Sequence, residues 1–288
     1  MTDNMISVPS LNHPCPLGHC GEDHEFRKQT MRIIRRQNLI ATALACGLAA
    51  GLMCPLAARA QTNDPIGNEY RLTLFPYYSI TTNLAGFGYL GYVNNPEEGY
   101  QTYYLGKGVN YFLTPTVQLW GGLISTYTDN ENSANQLELR PFAGVKLFVP
   151  NEIKWSIYNF TRYEYRALQN LETYDWNNYS RIRSRFGVEF PLSSRAKAWQ
   201  PKTWYALADV EPYYRFDKNM VDPLRVRGGI AYIVSDRVRV EFIYHAQFTR
   251  STGSSGLEYT DNIFRLNIKL AMDKRLLGRV FGGGDADD

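Results

Sequence analysis

From Arg237 to Arg250 the chain alternates strictly between two kinds of side chain. A β-strand sends successive side chains to opposite faces. One face collects Val238, Val240, Phe242, Tyr244, Ala246 and Phe248, all apolar or aromatic. The other collects Arg237, Arg239, Glu241, Ile243, His245, Gln247 and Thr249, nearly all polar, with Arg250 at its end. The run before it, Leu224 to Val234, sets Leu224, Val226, Ile230, Tyr232 and Val234 against Arg225 and Arg227. Only Ser235 and Asp236 separate the two runs, which predicts a tight hairpin. Long strands with one apolar and one charged face suit a transmembrane β-barrel, in which lipid takes the apolar face and the lumen takes the charges.

The same alternation recurs along the chain. Strands are expected over 70–93, read as one long or bent strand with two as the alternative, and over 100–112, 117–127, 136–149, 153–167, 176–191, 202–216, 224–234, 237–250 and 258–271. The fold class is therefore all-β: an antiparallel up-and-down transmembrane β-barrel of about ten strands, with twelve as the alternative count. Most strands exceed the roughly 9–11 residues that a tilted strand needs to cross a membrane. Short turns near residues 114, 151 and 235 alternate with longer loops near 97, 131, 171, 220 and 254, as short periplasmic turns alternate with outer loops in bacterial barrels. The connection 192–201 breaks this pattern, being long where a short turn is expected. An even count would place both ends of the barrel in the periplasm.

The N-terminus reads as an address. Met31-Arg32-Ile33-Ile34-Arg35-Arg36 is a basic start, Leu39 to Leu56 an apolar Ala-rich core, and Ala58-Arg59-Ala60 a cleavage signal. Cutting between Ala60 and Gln61 would start the mature chain at Gln61. Export to the outer membrane is the expected localisation. Met31 is expected to be the true start and residues 1–30 a gene-model extension. The barrel is expected over 61–272 and a flexible tail over 273–288. All four cysteines (Cys15, Cys20, Cys46 and Cys54) precede the cleavage site, as do His13, His19 and His24. The mature chain then keeps His245 as its single histidine, which leaves no disulfide and too few ligands for a His/Cys metal site. No cofactor is expected. The net charge of +3 gives no strong case for nucleic acid as a partner; the expected partners are outer-membrane lipid and lipopolysaccharide, with the barrel-assembly machinery during insertion.

Charged clusters punctuate the strands: Glu138-Leu139-Arg140, Arg162-Tyr163-Glu164-Tyr165-Arg166, Arg181-Ile182-Arg183-Ser184-Arg185, Asp209-Val210-Glu211-Pro212-Tyr213 and Arg225-Val226-Arg227-Gly228-Gly229-Ile230-Ala231-Tyr232. In these the chain resembles the proteobacterial family called domain of unknown function 2490, over most of residues 70–272. The resemblance implies an outer-membrane β-barrel. It implies no reaction or ligand, because the family has none assigned. Barrels of this kind usually end on their last strand, often at an aromatic residue, whereas here a further segment follows Met272.

The candidate site is the inward face. Glu138, Arg140, Arg162, Glu164 and Arg166 come from the middle of the chain. Arg181, Arg183, Arg185, Glu189, Asp209, Glu211 and Arg215 follow, and Arg225, Arg227, Arg239, Glu241 and His245 close the set. Open aqueous pores belong to barrels of roughly 16–18 strands; in a barrel of about ten, these charges should pair across neighbouring strands. Arg181, Arg183 and Arg185 with Glu164, Asp209 and Glu211 are the expected centre. The expected role is structural, or a narrow conduit for small anionic solutes. Two alternatives stand beside it. In a soluble periplasmic lipocalin-like barrel the apolar face would point inward. A lipid-modifying hydrolase would need His245 as base beside a serine, and no serine lies within several residues of it. No catalytic residue is assigned.

Overall fold

The structure, a computed structural model, describes residues 66–152, 154–192, 199–250, 256–273 and residue 280. The leader, the Ala60–Gln61 cleavage site and residues 1–30 lie outside the described residues. Eleven strands follow one another: β1 (Gly67–Ser79), β2 (Leu84–Asn95), β3 (Tyr100–Thr114), β4 (Val117–Asn130), β5 (Gln136–Val149), β6 (Ser156–Asn170), β7 (Trp176–Pro191), β8 (Thr203–Arg215), β9 (Met220–Ser235), β10 (Val238–Thr249) and β11 (Glu258–Ala271). Each pairs antiparallel with its neighbours in sequence, and β1 closes the barrel against β11 in parallel, from Gly67 opposite Asp261 to Tyr77 opposite Ala271.

The eleventh strand comes from the run 70–93. It is a hairpin, with β1 and β2 in register from Tyr70 opposite Asn94 to Ser79 opposite Ala85. The turn is Ile80-Thr81-Thr82-Asn83, where the amides of Ile80 and Thr81 both donate to the Leu84 carbonyl (2.8 and 3.0 Å). It contains neither glycine nor proline, and its one turn signal is the polar cluster Thr81-Thr82-Asn83, in which the Thr81 hydroxyl accepts from the amides of Asn83 (3.3 Å) and Leu84 (3.1 Å). An odd count has a consequence for the ends. The first strand begins at the rim that carries the connections 96–99, 131–135, 171–175, 216–219 and 250–257, and the last strand ends at the opposite rim. The expectation that both ends share one side therefore fails for the described barrel, because the hairpin at 80–83 adds a crossing. Single-chain bacterial barrels ordinarily have an even count.

The alternation orients the wall as the charge pattern requires. Leu105 is 64% exposed and Phe242 54%, while Glu164 is 0% and His245 1% exposed. Among the described residues, Lys107 is the one charged side chain that faces outward from the middle of a strand. The apolar face points out and the charged face in, the reverse of what the lipocalin-like alternative requires. Aromatic residues pair on the outer surface toward both rims: Tyr92 with Tyr103 and Tyr244 with Phe264 in one half, Trp155 with Phe190 and Trp204 with Tyr232 in the other.

Inside, glycine makes room for rings that lie flat against the wall. A Cβ on Gly108 would sit 2.4 Å from the Phe87 ring, and one on Gly187 2.6 Å from the Tyr158 ring. Side chains thus fill the interior, as a small barrel demands.

Candidate functional site: the charged lumen

Three arginines alternate along β7, so Arg181, Arg183 and Arg185 all face the lumen, flanked by β6 and β8. The register puts Glu164 opposite Arg181 and Arg162 opposite Arg183. Glu164 accepts from Arg181 at 2.6 Å through Oε2, forms an ion pair with Arg162 through Oε1, and stands 3.5 Å from Arg183. Glu211, on β8, lies 3.2 Å from Arg183 and takes both Arg185 nitrogens at 3.2 Å. Asp209 takes Arg227 in a two-pronged contact at 2.5 Å and stands 3.9 Å from Arg185. The structure thus joins Arg181, Arg183, Arg185, Glu164, Asp209 and Glu211 into one continuous network. Bidentate guanidinium–carboxylate geometry accounts for its density.

Two smaller groups flank it. Glu138 binds Arg140 (2.7 Å) and Arg166, and Arg166 also donates to the Tyr179 hydroxyl. Toward the other rim Arg239 bridges Glu189 (2.6 Å) and Glu241 (2.9 Å), while Glu241 also holds Lys269 and accepts from Asn267 at 2.9 Å. Arg215 belongs to neither: it pairs with Asp217 at 2.6 Å on the 216–219 connection, at the rim. Arg225 meets neutral partners, the Gln247 side-chain carbonyl at 2.6 Å and the Tyr213 hydroxyl at 3.0 Å. Among the described residues neither ring nitrogen of His245 has a hydrogen-bond partner, so they assemble no base–serine pair of the kind the hydrolase alternative needs.

Several members of the site escape the sequence list. Tyr213 is a hub: its hydroxyl donates to Glu211 (3.0 Å), and the guanidiniums of Arg181, Arg183 and Arg225 lie 4.9–5.2 Å from its ring. Its shared parity with Asp209 and Glu211 was the available signal. On β1, Glu69 pairs with Arg71 and accepts from Tyr100 at 2.9 Å; the untidy alternation over 70–93, which fits one bent strand or two, left both outside the candidate set. Arg265, which the alternation collects with the other inward arginines, lines the lumen as expected, and so do Lys146 and Lys269 on the polar faces of their strands.

An apolar layer crosses the lumen toward the rim of short turns. Tyr77, Phe87, Phe112, Phe142 and Val280 form one cluster, and Tyr205, Leu207, Ile233 and Ile243 another; Trp199 packs against both. Trp199 stacks on Tyr205 at 4.5 Å and donates its indole N–H to the Lys154 carbonyl at 3.2 Å. Trp199, near the end of the connection after β7, thus lies in the barrel mouth. Val280 is fully buried, and its carbonyl accepts from Lys146 Nζ at 3.2 Å. At that position the segment after β11 is seated inside the barrel, not in solvent. The lumen beside this layer holds a cavity of about 300 Å³, lined by ten arginines, two lysines, the carboxylates of Glu189, Asp209, Glu211 and Glu241, and aromatic rings.

The family model described as Protein of unknown function (DUF2490) matches residues 62–258. The chain belongs to this family. The match takes in β1 to β10 of the DUF2490 barrel, and with them the central network, but stops at the first residue of β11, before Arg265 and Lys269. No curated protein matches the chain.

Proposed function

We propose that this DUF2490 chain is an integral β-barrel of the bacterial outer membrane, exported by the leader at 31–60, with a charge-packed interior that does not act as an open pore. The observation that carries the reading is the inverted wall. Apolar side chains face outward around all eleven strands, and in mid-strand the charged ones, Lys107 apart, face inward. In water such a surface would be a very large exposed apolar patch; in lipid it is the required one. Strands of 12 to 16 residues exceed the length needed to cross, and the outward aromatic pairs suit the two interfaces. On this reading the surroundings are outer-membrane lipid and lipopolysaccharide, with insertion by the barrel-assembly machinery. Structural support is the role favoured by the apolar layer around Trp199, which stands across the path a conduit would take.

Fractionation and planar-bilayer recording test this together. The chain is expected in the outer-membrane fraction, migrating faster in detergent gels before heating than after, and giving no discrete conductance. Release with the soluble periplasm would refute membrane placement. Anion-selective openings would refute the closed lumen and restore the narrow anion conduit.

A further inference from the structure

We propose that the lumen cavity is a binding site for a small tetrahedral oxyanion, inorganic phosphate or a phosphomonoester, held by Arg265, Arg225 and His245 with Arg71 beside them. The proposal rests on the reading of the chain as a barrel with its charged face inward, and it adds a ligand to that interior.

The argument is one of incomplete neutralisation. Most lumen arginines have a carboxylate. Arg71 has Glu69, Arg227 has Asp209, and Arg239 has Glu189. Two do not. Arg265 donates to the Asn267 side-chain oxygen at 2.6 Å, and Arg225 to Gln247 and Tyr213; neither meets a carboxylate within ion-pair distance among the described residues. A buried cation without a counter-charge is costly, and so is a buried polar group without a hydrogen bond. His245 adds the second kind: it is 1% exposed and both of its ring nitrogens lack a partner among the described residues.

These groups share one wall. Arg71 and Arg265 face each other across the parallel β1–β11 pair. His245 lies opposite Arg227 on β9, Arg225 follows two residues before Arg227, and Ile243, two residues from His245, lies opposite Arg265. Arg71, Arg225, Arg265 and His245 all line the cavity. An unsatisfied buried group calls for an explanation, and an ion bound against it is one that also answers the unpaired charges. A dianion here would neutralise both unpaired guanidiniums and give the imidazole a partner. Guanidinium forks match the oxygens of a phosphate better than they match chloride. The cavity, about 300 Å³, takes a small solute, and its place inside the wall keeps it from the lipid phosphates outside.

The test is titration calorimetry with inorganic phosphate on the full chain, extracted from membranes in zwitterionic detergent and checked for heat-modifiable migration. Saturable binding that persists at matched chloride is expected. Arg265→Gln should weaken it about tenfold or more, as loss of a charge-assisted contact does. Arg215→Gln, at the rim, should leave it unchanged. Should Arg265→Gln lose the heat-modifiable form, Arg225→Gln carries the same expectation. Methyl phosphate binding as tightly as phosphate would point to a phosphomonoester, and its exclusion to the free ion. A heat-modifiable wild type without saturable phosphate binding would overturn the site while leaving the barrel reading intact. Phosphate binding undiminished in the heat-modifiable arginine variant would overturn the site as well. A wild type with no heat-modifiable form would take down the membrane reading and the site with it.

Discussion

Glu164→Gln isolates how the lumen is held together. The carboxylate is fully buried and serves three guanidiniums, Arg162, Arg181 and Arg183. Glutamine keeps the shape and one acceptor oxygen but removes the charge. Arg183 retains Glu211 at 3.2 Å, whereas Arg162 and Arg181 have no other carboxylate within ion-pair distance among the described residues. The substitution therefore strands two buried cations. Breaking a buried pair by removing one partner costs about 3–5 kcal/mol. An exposed pair is worth about 0–1 kcal/mol, and Asp217 with Arg215, at the rim, supplies that comparison. The assay is urea unfolding of the chain in thin-bilayer vesicles, followed by tryptophan fluorescence, for Glu164→Gln, Asp217→Asn and the double variant Glu164→Gln/Arg181→Gln. Glu164→Gln should lose several kcal/mol, Asp217→Asn little, and the double variant should recover part of the loss. If Glu164→Gln costs no more than Asp217→Asn, the lumen behaves as hydrated space and the packed network is not what stabilises the barrel.

Two further outcomes follow from the outer face and the apolar layer. Lys107→Leu should stabilise the inserted barrel, by about 2–4 kcal/mol if the ammonium sits at the bilayer midplane; an unchanged unfolding midpoint in vesicles would mean that Lys107 meets water or a partner instead of lipid. Trp199→Ala removes the ring that joins the two apolar clusters, so it should introduce measurable ion leak in planar bilayers while heat-modifiable migration persists; a silent, folded variant would show that the remaining rings close the lumen without it.

What the sequence disclosed follows from period. Wherever side chains alternate cleanly, as on β5 to β11, both the strand and its inward charges are legible, and the neighbours Glu164, Arg181, Asp209 and Glu211 can be placed in one network from the sequence alone. Legibility failed where punctuation was missing. Ile80-Thr81-Thr82-Asn83 turns the chain without glycine or proline, on backbone hydrogen bonds and the Thr81 hydroxyl, so one bent strand and two strands both fit the run, and Glu69 and Arg71 stay outside the candidate site. Pairing is also invisible to alternation, which shows that Arg215 and Arg225 lie on the charged face but not that one meets Asp217 and the other only neutral groups. Trp199 and Val280 lie outside any alternating strand; they enter the lumen through tertiary packing that no local pattern encodes.

The parallel seam between β1 and β11 sets the order of assembly. Every other pairing joins strands adjacent in the chain, so the wall can zip as a row of hairpins with short loops to close. The seam joins residues such as Asn68 and Asn262, 194 apart in sequence. Its closure entropy grows slowly with that separation, but such non-local contacts form late and slowly. Until the seam forms, β1 and β11 each present an unpaired edge able to recruit a foreign strand. The step most exposed to misassembly is therefore the meeting of these two strands, and a factor that shepherds this chain into a membrane would do most by holding those two edges apart from other partners until they find each other.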